Sequence, residues 1–105
     1  MREVKWLQKM LREVGFGEEV SGKKGSLHIS LANDGEFKMF HYGTLILHMN
    51  VRERKVYSCG GAYSQTDARY INNALYYFNM SRLYNARIKN YALEVVNLES
   101  GVVVK

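Results

Sequence analysis

Val4, Leu7, Leu11 and Val14 recur at intervals of three and four. That spacing lines one face of a helix and predicts a helix over residues 2–14. Arg2, Lys5, Lys9 and Arg12 fall on the opposite stripe, with Trp6 and Met10 between the two. Gly15-Phe16-Gly17 ends the run, because glycine accepts the left-handed conformation of a helix C-terminus. The period then changes to two. Glu18 to Ser21 reads as a short strand and Gly22-Lys23-Lys24-Gly25 as a hairpin turn. Leu27, Ile29 and Leu31 alternate with His28 and Ser30, which predicts a half-buried strand over 26–32. Asn33-Asp34-Gly35 predicts a turn of the primed type.

The next strand, 36–42, carries Phe37, Met39 and His41 on one face and Lys38, Phe40 and Tyr42 on the other. Apolar groups on both faces imply burial on both, or one face held for a partner. Gly43 predicts a bulge or bend. Thr44 to Asn50 is extended with Leu45, Leu47 and Met49 on one side. Arg52-Glu53-Arg54 is a charged turn, and Lys55 to Cys59 returns as a strand before Gly60-Gly61. Ser64-Gln65-Thr66-Asp67 opens a second helix, with a hydroxyl followed three residues later by an acid as in a capping box. Ala68, Ile71, Leu75 and Phe78 form its core stripe, while Tyr70, Asn73 and Tyr77 line the adjacent polar side. Ser64 and Thr66 suit capping, and Asn72 is placed to tie this helix to a neighbouring strand. Beyond the fade at Asn79 to Ser81, Tyr91 to Asn97 reads as a strand, Leu98 to Gly101 as a turn and Val102 to Val104 as a closing strand. The expected fold is α+β, with two helices packed on an antiparallel sheet of about five to six strands in the order α-β-β-β-β-α-β-β.

A length of 105 residues allows one domain spanning 1–105. The chain contains no proline, so its turns rely on Gly, Asn, Asp and Ser. Its longest apolar stretches fall far short of the ~20 residues a membrane helix needs. Arg2, Glu3 and Lys5 precede no apolar run of the kind a secretory signal requires. The single cysteine, Cys59, excludes an intrachain disulfide and suits a reducing, cytoplasmic setting. A net charge of +5 favours anionic partners. The charge is spread along the chain, without the basic cluster that alone predicts nucleic-acid binding.

The candidate chemistry is thin. His28, His41, His48 and Cys59 sit on successive strands without the pair spacings of a zinc site, so neither metal nor cofactor is expected. Nothing near Cys59 lowers its pKa in the manner of a nucleophile, and a buried strand cysteine is the simpler reading. Gly60-Gly61 lacks the spacing of a phosphate loop. Arginine interleaved with tyrosine carries more weight. Arg69, Tyr70, Asn73 and Tyr77 share or border one side of the second helix, and Arg82, Tyr84, Arg87, Lys89 and Tyr91 follow. That pairing stacks on bases or anchors a protein interface. The expected binding residues are Lys5, Trp6, Lys9, Arg12, Arg69, Tyr70 and Tyr77.

Two fragments, Phe40-His-Tyr-Gly-Thr-Leu-Ile46 and Tyr63-Ser-Gln-Thr-Asp-Ala-Arg-Tyr-Ile-Asn72, resemble a loose family of small phage and plasmid proteins. Its pattern is aromatic-x-x-Tyr-x-Thr-x-Ile, a short hairpin, then Ser-x-Thr-Thr-x-(Arg/Lys)-His-x-Asn at a helix start. Tyr42, Thr44 and Ile46 match the first run, and Ser64, Thr66, Arg69 and Asn72 the second. Asp67 stands where the family has its second threonine, and Tyr70 where it has histidine. The resemblance implies a mobile-element origin, where small proteins often inhibit host defence, anti-CRISPR proteins among them. The expectation is a non-enzymatic binding protein acting on a host protein or nucleoprotein complex in the host cytoplasm. The alternative is a small basic nucleic-acid-binding protein using the helix-1 cations. An exposed sheet edge or Val102–Val104 also offers a route to a homodimer.

Overall fold

The computed structural model describes residues 2–13, 20–60 and 65–104. The predicted helix end at Gly15–Gly17, the start of the first strand at Glu18, Gly61 and the cap residue Ser64 lie outside them. Helix α1 runs Arg2–Glu13. Strands β1 (Val20–Lys24), β2 (Leu27–Leu31), β3 (Glu36–His41), β4 (Thr44–Asn50) and β5 (Lys55–Cys59) follow. Helix α2 spans Gln65–Tyr77, and β6 (Tyr84–Lys89), β7 (Ala92–Asn97) and β8 (Val103–Val104) close the chain. The fold is α+β. Its strands form two antiparallel sheets, an ordered meander β1-β2-β3-β4-β5 and a smaller β6-β7-β8, where a single sheet of five to six strands was expected.

The two-residue alternation does most of the work. Leu27, Ile29, Leu31, Phe37 and Met39 are buried on the face that receives both helices. From α1, Leu7 and Leu11 enter the same core. Full burial of such a leucine contributes about 1.5–3 kcal/mol. Ala68, Ile71, Ala74, Leu75 and Phe78 of α2 join it, as the helical spacing predicts, and Phe37 meets Phe78 edge-on at 5.1 Å. Tyr84, Ala86, Leu93 and Val95 extend the core into the second sheet.

The turns depart from expectation in detail. β1 continues through Gly22 to Lys24, and the first hairpin turns at Gly25-Ser26, where Gly25 has φ 59°. Gly22 therefore lies within a strand, and its missing side chain makes room for Trp6 of α1: a Cβ there would lie 2.9 Å from the Trp6 ring. The β2–β3 turn is not primed, since only Gly35 takes a positive φ, of 97°. Gly35 N–H donates to Ala32 C=O, and a Cβ on Gly35 would sit 2.8 Å from Asn50 Oδ1. Gly35→Ala is therefore expected to destabilise the fold by more than about 1 kcal/mol, read as a lowered midpoint in urea.

Tyr42 and Gly43, at φ 52° and 77°, form the two-residue turn between β3 and β4. Positive φ at both central positions is the type I′ signature, so Gly43 is a turn residue and the bulge lies elsewhere. Register slips between Met39 and Phe40, leaving Ile46 as the extra residue of β4. That slip buries Ile46 beside Leu47 and turns Leu45 outward, correcting the expected Leu45–Leu47–Met49 face. The charged turn at Arg52–Arg54 is held by Asn50, whose Oδ1 accepts from Arg52 N–H and Glu53 N–H, each at 2.9 Å.

Strand β6 was not anticipated. Its inward positions are Tyr84, Ala86 and Ile88, and Asn90-Tyr91 turns it into β7 with φ 53° and 62°. Tyr91 is thus a turn residue rather than the first residue of a strand. β8 pairs with β7, at Val104 opposite Val95 and Val103 opposite Val96.

Candidate functional site

α1 and α2 pack side by side on the core face, joined by a hydrogen bond from Gln8 Nε2 to Asn73 Oδ1 at 3.0 Å. Lys5, Lys9 and Arg12 are exposed on α1. Gln8 sits among them, so the hydrogen bond joins this cationic stripe to α2. Asn73 in turn donates to Arg69 C=O at 2.8 Å and lines a groove of about 520 Å³ between α2 and β6. Arg69, Asn73 and Tyr76 recur along the helix at four and three residues and face this groove, with Arg87 on its far wall. Tyr76 is 63% exposed.

Asn72 fixes the groove floor. Its Nδ2 donates to Ala86 C=O at 2.9 Å and its Oδ1 accepts from Ala86 N–H at 2.8 Å. The side chain thereby occupies both hydrogen-bonding groups of one residue on an edge strand, as the sequence suggested for this asparagine. A sheet edge so covered cannot pair with another chain at that residue.

Electrostatics reinforces the cationic character. The one acid of α2, Asp67, is wholly buried, and its Oδ1 lies 2.5 Å from Nδ1 of His41 on β3. Its Oδ2 has no hydrogen-bond partner among the described residues. The first-turn acid read as part of a capping box is therefore directed into the core. Glu94 is committed to Arg87, with Oε1 2.7 Å from Nε. Neither carboxylate is left to offset the exposed cations of the helical face.

The expected binding residues thus divide. Lys5, Lys9 and Arg12 share one stripe, and Arg69 lies beside it across the Gln8–Asn73 contact. Trp6 is half-buried over Gly22 and acts partly as core. Tyr77 is half-buried and meets Tyr76 edge-on at 5.1 Å. Tyr70 is a correction: at 2% exposure it is a core residue, its ring edge-on to His41 at 5.3 Å. Tyr76 is the exposed ring the sequence reading passed over. Its three-and-four spacing from Arg69 and Asn73 was the available signal.

The three histidines and the cysteine do not converge. His41 pairs with Asp67, His48 Nε2 lies 2.6 Å from Glu36 Oε2, and His28 Nε2 lies 3.3 Å from Ser21 Oγ. Among the described residues no three His, Cys, Asp or Glu side chains gather as metal ligands would. On β5, the Tyr57 hydroxyl donates to Glu53 at 2.6 Å, which pushes its pKa up to about 12. The Cys59 thiol donates to Val104 C=O at 3.0 Å. Burial pushes this thiol up, aided by the charge of Glu94 and opposed by a backbone hydrogen bond from Val95. Less thiolate is present at a given pH, so Cys59 is expected to react with a disulfide reagent at pH 8 several-fold more slowly in the folded protein than in urea.

Comparison with protein-family models, curated proteins and solved structures returns no match to this chain. No helix among the described residues is long and apolar enough to cross a membrane.

Proposed function

We propose that the chain is a non-enzymatic binding protein of phage or mobile-element origin. It acts in the host cytoplasm by occupying an acidic surface on a host protein or nucleoprotein complex, inhibition of a CRISPR effector being one form of that activity. The observation that carries this reading is the helical face. Three cations on α1 are joined through Gln8 and Asn73 to a groove holding Arg69 and Tyr76. Arginine and tyrosine are the side chains that most often anchor interfaces, because each combines a large contact area with directional hydrogen bonding. The face is built on two packed helices, and the two acids described beside the α2 groove, Asp67 and Glu94, are turned inward or paired. A surface prepared in this way suits an anionic partner by steering as well as by contact.

The test is copurification from host lysate. Tagged wild-type protein is expected to retain a defined partner at moderate salt, and Lys5→Glu/Lys9→Glu/Arg12→Glu to lose it while melting at the wild-type temperature. Equal retention by both proteins would remove the helical face from the mechanism.

A further inference from the structure

The face of the five-stranded sheet turned away from the helices carries a second candidate surface. Gly22 and His41 point toward α1 and α2, so strand alternation puts Lys23 and Phe40 on the opposite side. The register aligns Lys23 with His28, His28 with Phe40, and Phe40 with Leu45, giving one row across four strands. Within it the His28 and Phe40 rings stack at 5.6 Å with 24° between their planes. Lys23, Ser26, His28, Phe40 and Tyr42 line a cleft of about 600 Å³. Lys38 is exposed in the next row, opposite Ser30 and His48. Among the described residues no carboxylate lines the cleft, and the acid two positions before Lys38, Glu36, is paired with His48.

Tyr42 stands at the end of the row, its ring 4.6 Å from that of His41. It is 81% exposed and holds φ 52°. A bulky side chain in that conformation costs about 1–3 kcal/mol, as it does at Tyr91 in the β6–β7 turn. An asparagine or glycine would make the turn more cheaply.

We infer that this row is a stacking platform for the bases of a single-stranded nucleic acid. His28 and Phe40 form the base of the cleft, Tyr42 closes one end, and Lys23 and Lys38 meet the phosphates. Aromatic rings on an open sheet face, flanked by lysines, accept unpaired bases of any sequence because every base presents a π-face. Cationic charge, with no acid among the described residues of the cleft, favours this polyanion over an apolar protein segment. The surface is separate from the helical face of the proposed function, so either can fail alone.

The experiment titrates the whole protein with fluorescently labelled eight-nucleotide DNA and RNA of mixed sequence, read by anisotropy at low salt, with amide chemical shifts followed in parallel. Binding is expected to shift amides of β1–β4 around the row. Phe40→Ala is expected to weaken it about tenfold or more, and Phe40→Trp to retain it. Tyr42→Gly is expected to weaken binding without lowering the melting temperature, which separates loss of the ring from loss of the fold. Lys5→Glu/Lys9→Glu is expected to leave affinity within a fewfold. The inference is overturned if neither oligonucleotide binds, if binding leaves the row's amides unmoved, or if the helix variant abolishes binding while Phe40→Ala does not.

Discussion

Replacing His41 with leucine is expected to lower the stability of this protein by about 3–5 kcal/mol, the cost of stripping a buried carboxylate of its partner. Asp67 has no exposed surface, and the imidazole lies 2.5 Å from one of its oxygens. Its other oxygen has no hydrogen-bond partner among the described residues, so none of these already shares the carboxylate when the imidazole is gone. For a domain of this size each kcal/mol moves the melting temperature by about 4–8 °C, so the loss should exceed about 10 °C. A second change isolates the cause. Asp67→Ala in the His41→Leu background removes the stranded charge and is expected to recover part of the loss, measured by urea denaturation. A double variant no more stable than His41→Leu would show that packing, not the carboxylate, sets the cost.

Asn72→Ala is the second large effect. One side chain satisfies both the N–H and the C=O of Ala86. Its removal leaves two polar backbone groups at a part-buried position, at about 1–3 kcal/mol each. A loss of about 2–4 kcal/mol is expected, with amide exchange at Ala86 rising more than exchange in β2 or β3. Asn72→Asp tests the geometry: it keeps the acceptor for Ala86 N–H but sets an oxygen against Ala86 C=O. It should be no better than alanine. Full stability in Asn72→Asp would mean the clamp is not what holds β6 to α2.

Periodicity made much of this architecture legible. The stripe at Leu7 and Leu11, the alternation through Leu27–Leu31 and Phe37–Met39, and the helical set Ala68, Ile71, Leu75 and Phe78 all lie where the pattern placed them. The misses have local causes. β6 buries only Tyr84 and Ala86 among alternating polar residues, and its turn at Asn90-Tyr91 lacks glycine, so neither strand nor hairpin announced itself. The bulge at Ile46 depends on cross-strand register, which a single strand's pattern does not encode.

At the helical face, the cations of α1 were legible because an amphipathic helix declares both stripes. Tyr70 was misplaced because tyrosine serves core and surface alike. Ile71 and Ala74 beside it are both buried, which marks that side of α2 as interior. The His41–Asp67 pair joins residues 26 apart in sequence and was not foreseen. Its one trace was His41 sharing a face with Phe37 and Met39, since a histidine on a core face requires a polar partner. The outward Phe40 was likewise visible as an apolar group on the wrong side of a strand. What it faces became clear only once both helices were seen to lie on the opposite side of the sheet.

Lys5, Lys9 and Arg12, continued by the α2 groove, are the proposed docking face. Its most direct test is the dissociation constant of the captured partner across a salt series, for wild type and for Lys5→Glu/Lys9→Glu/Arg12→Glu. Affinity is expected to fall as salt rises, and the variant to bind at least tenfold more weakly with a visibly flatter salt dependence. Equal affinity and equal salt dependence in the two proteins would contradict it.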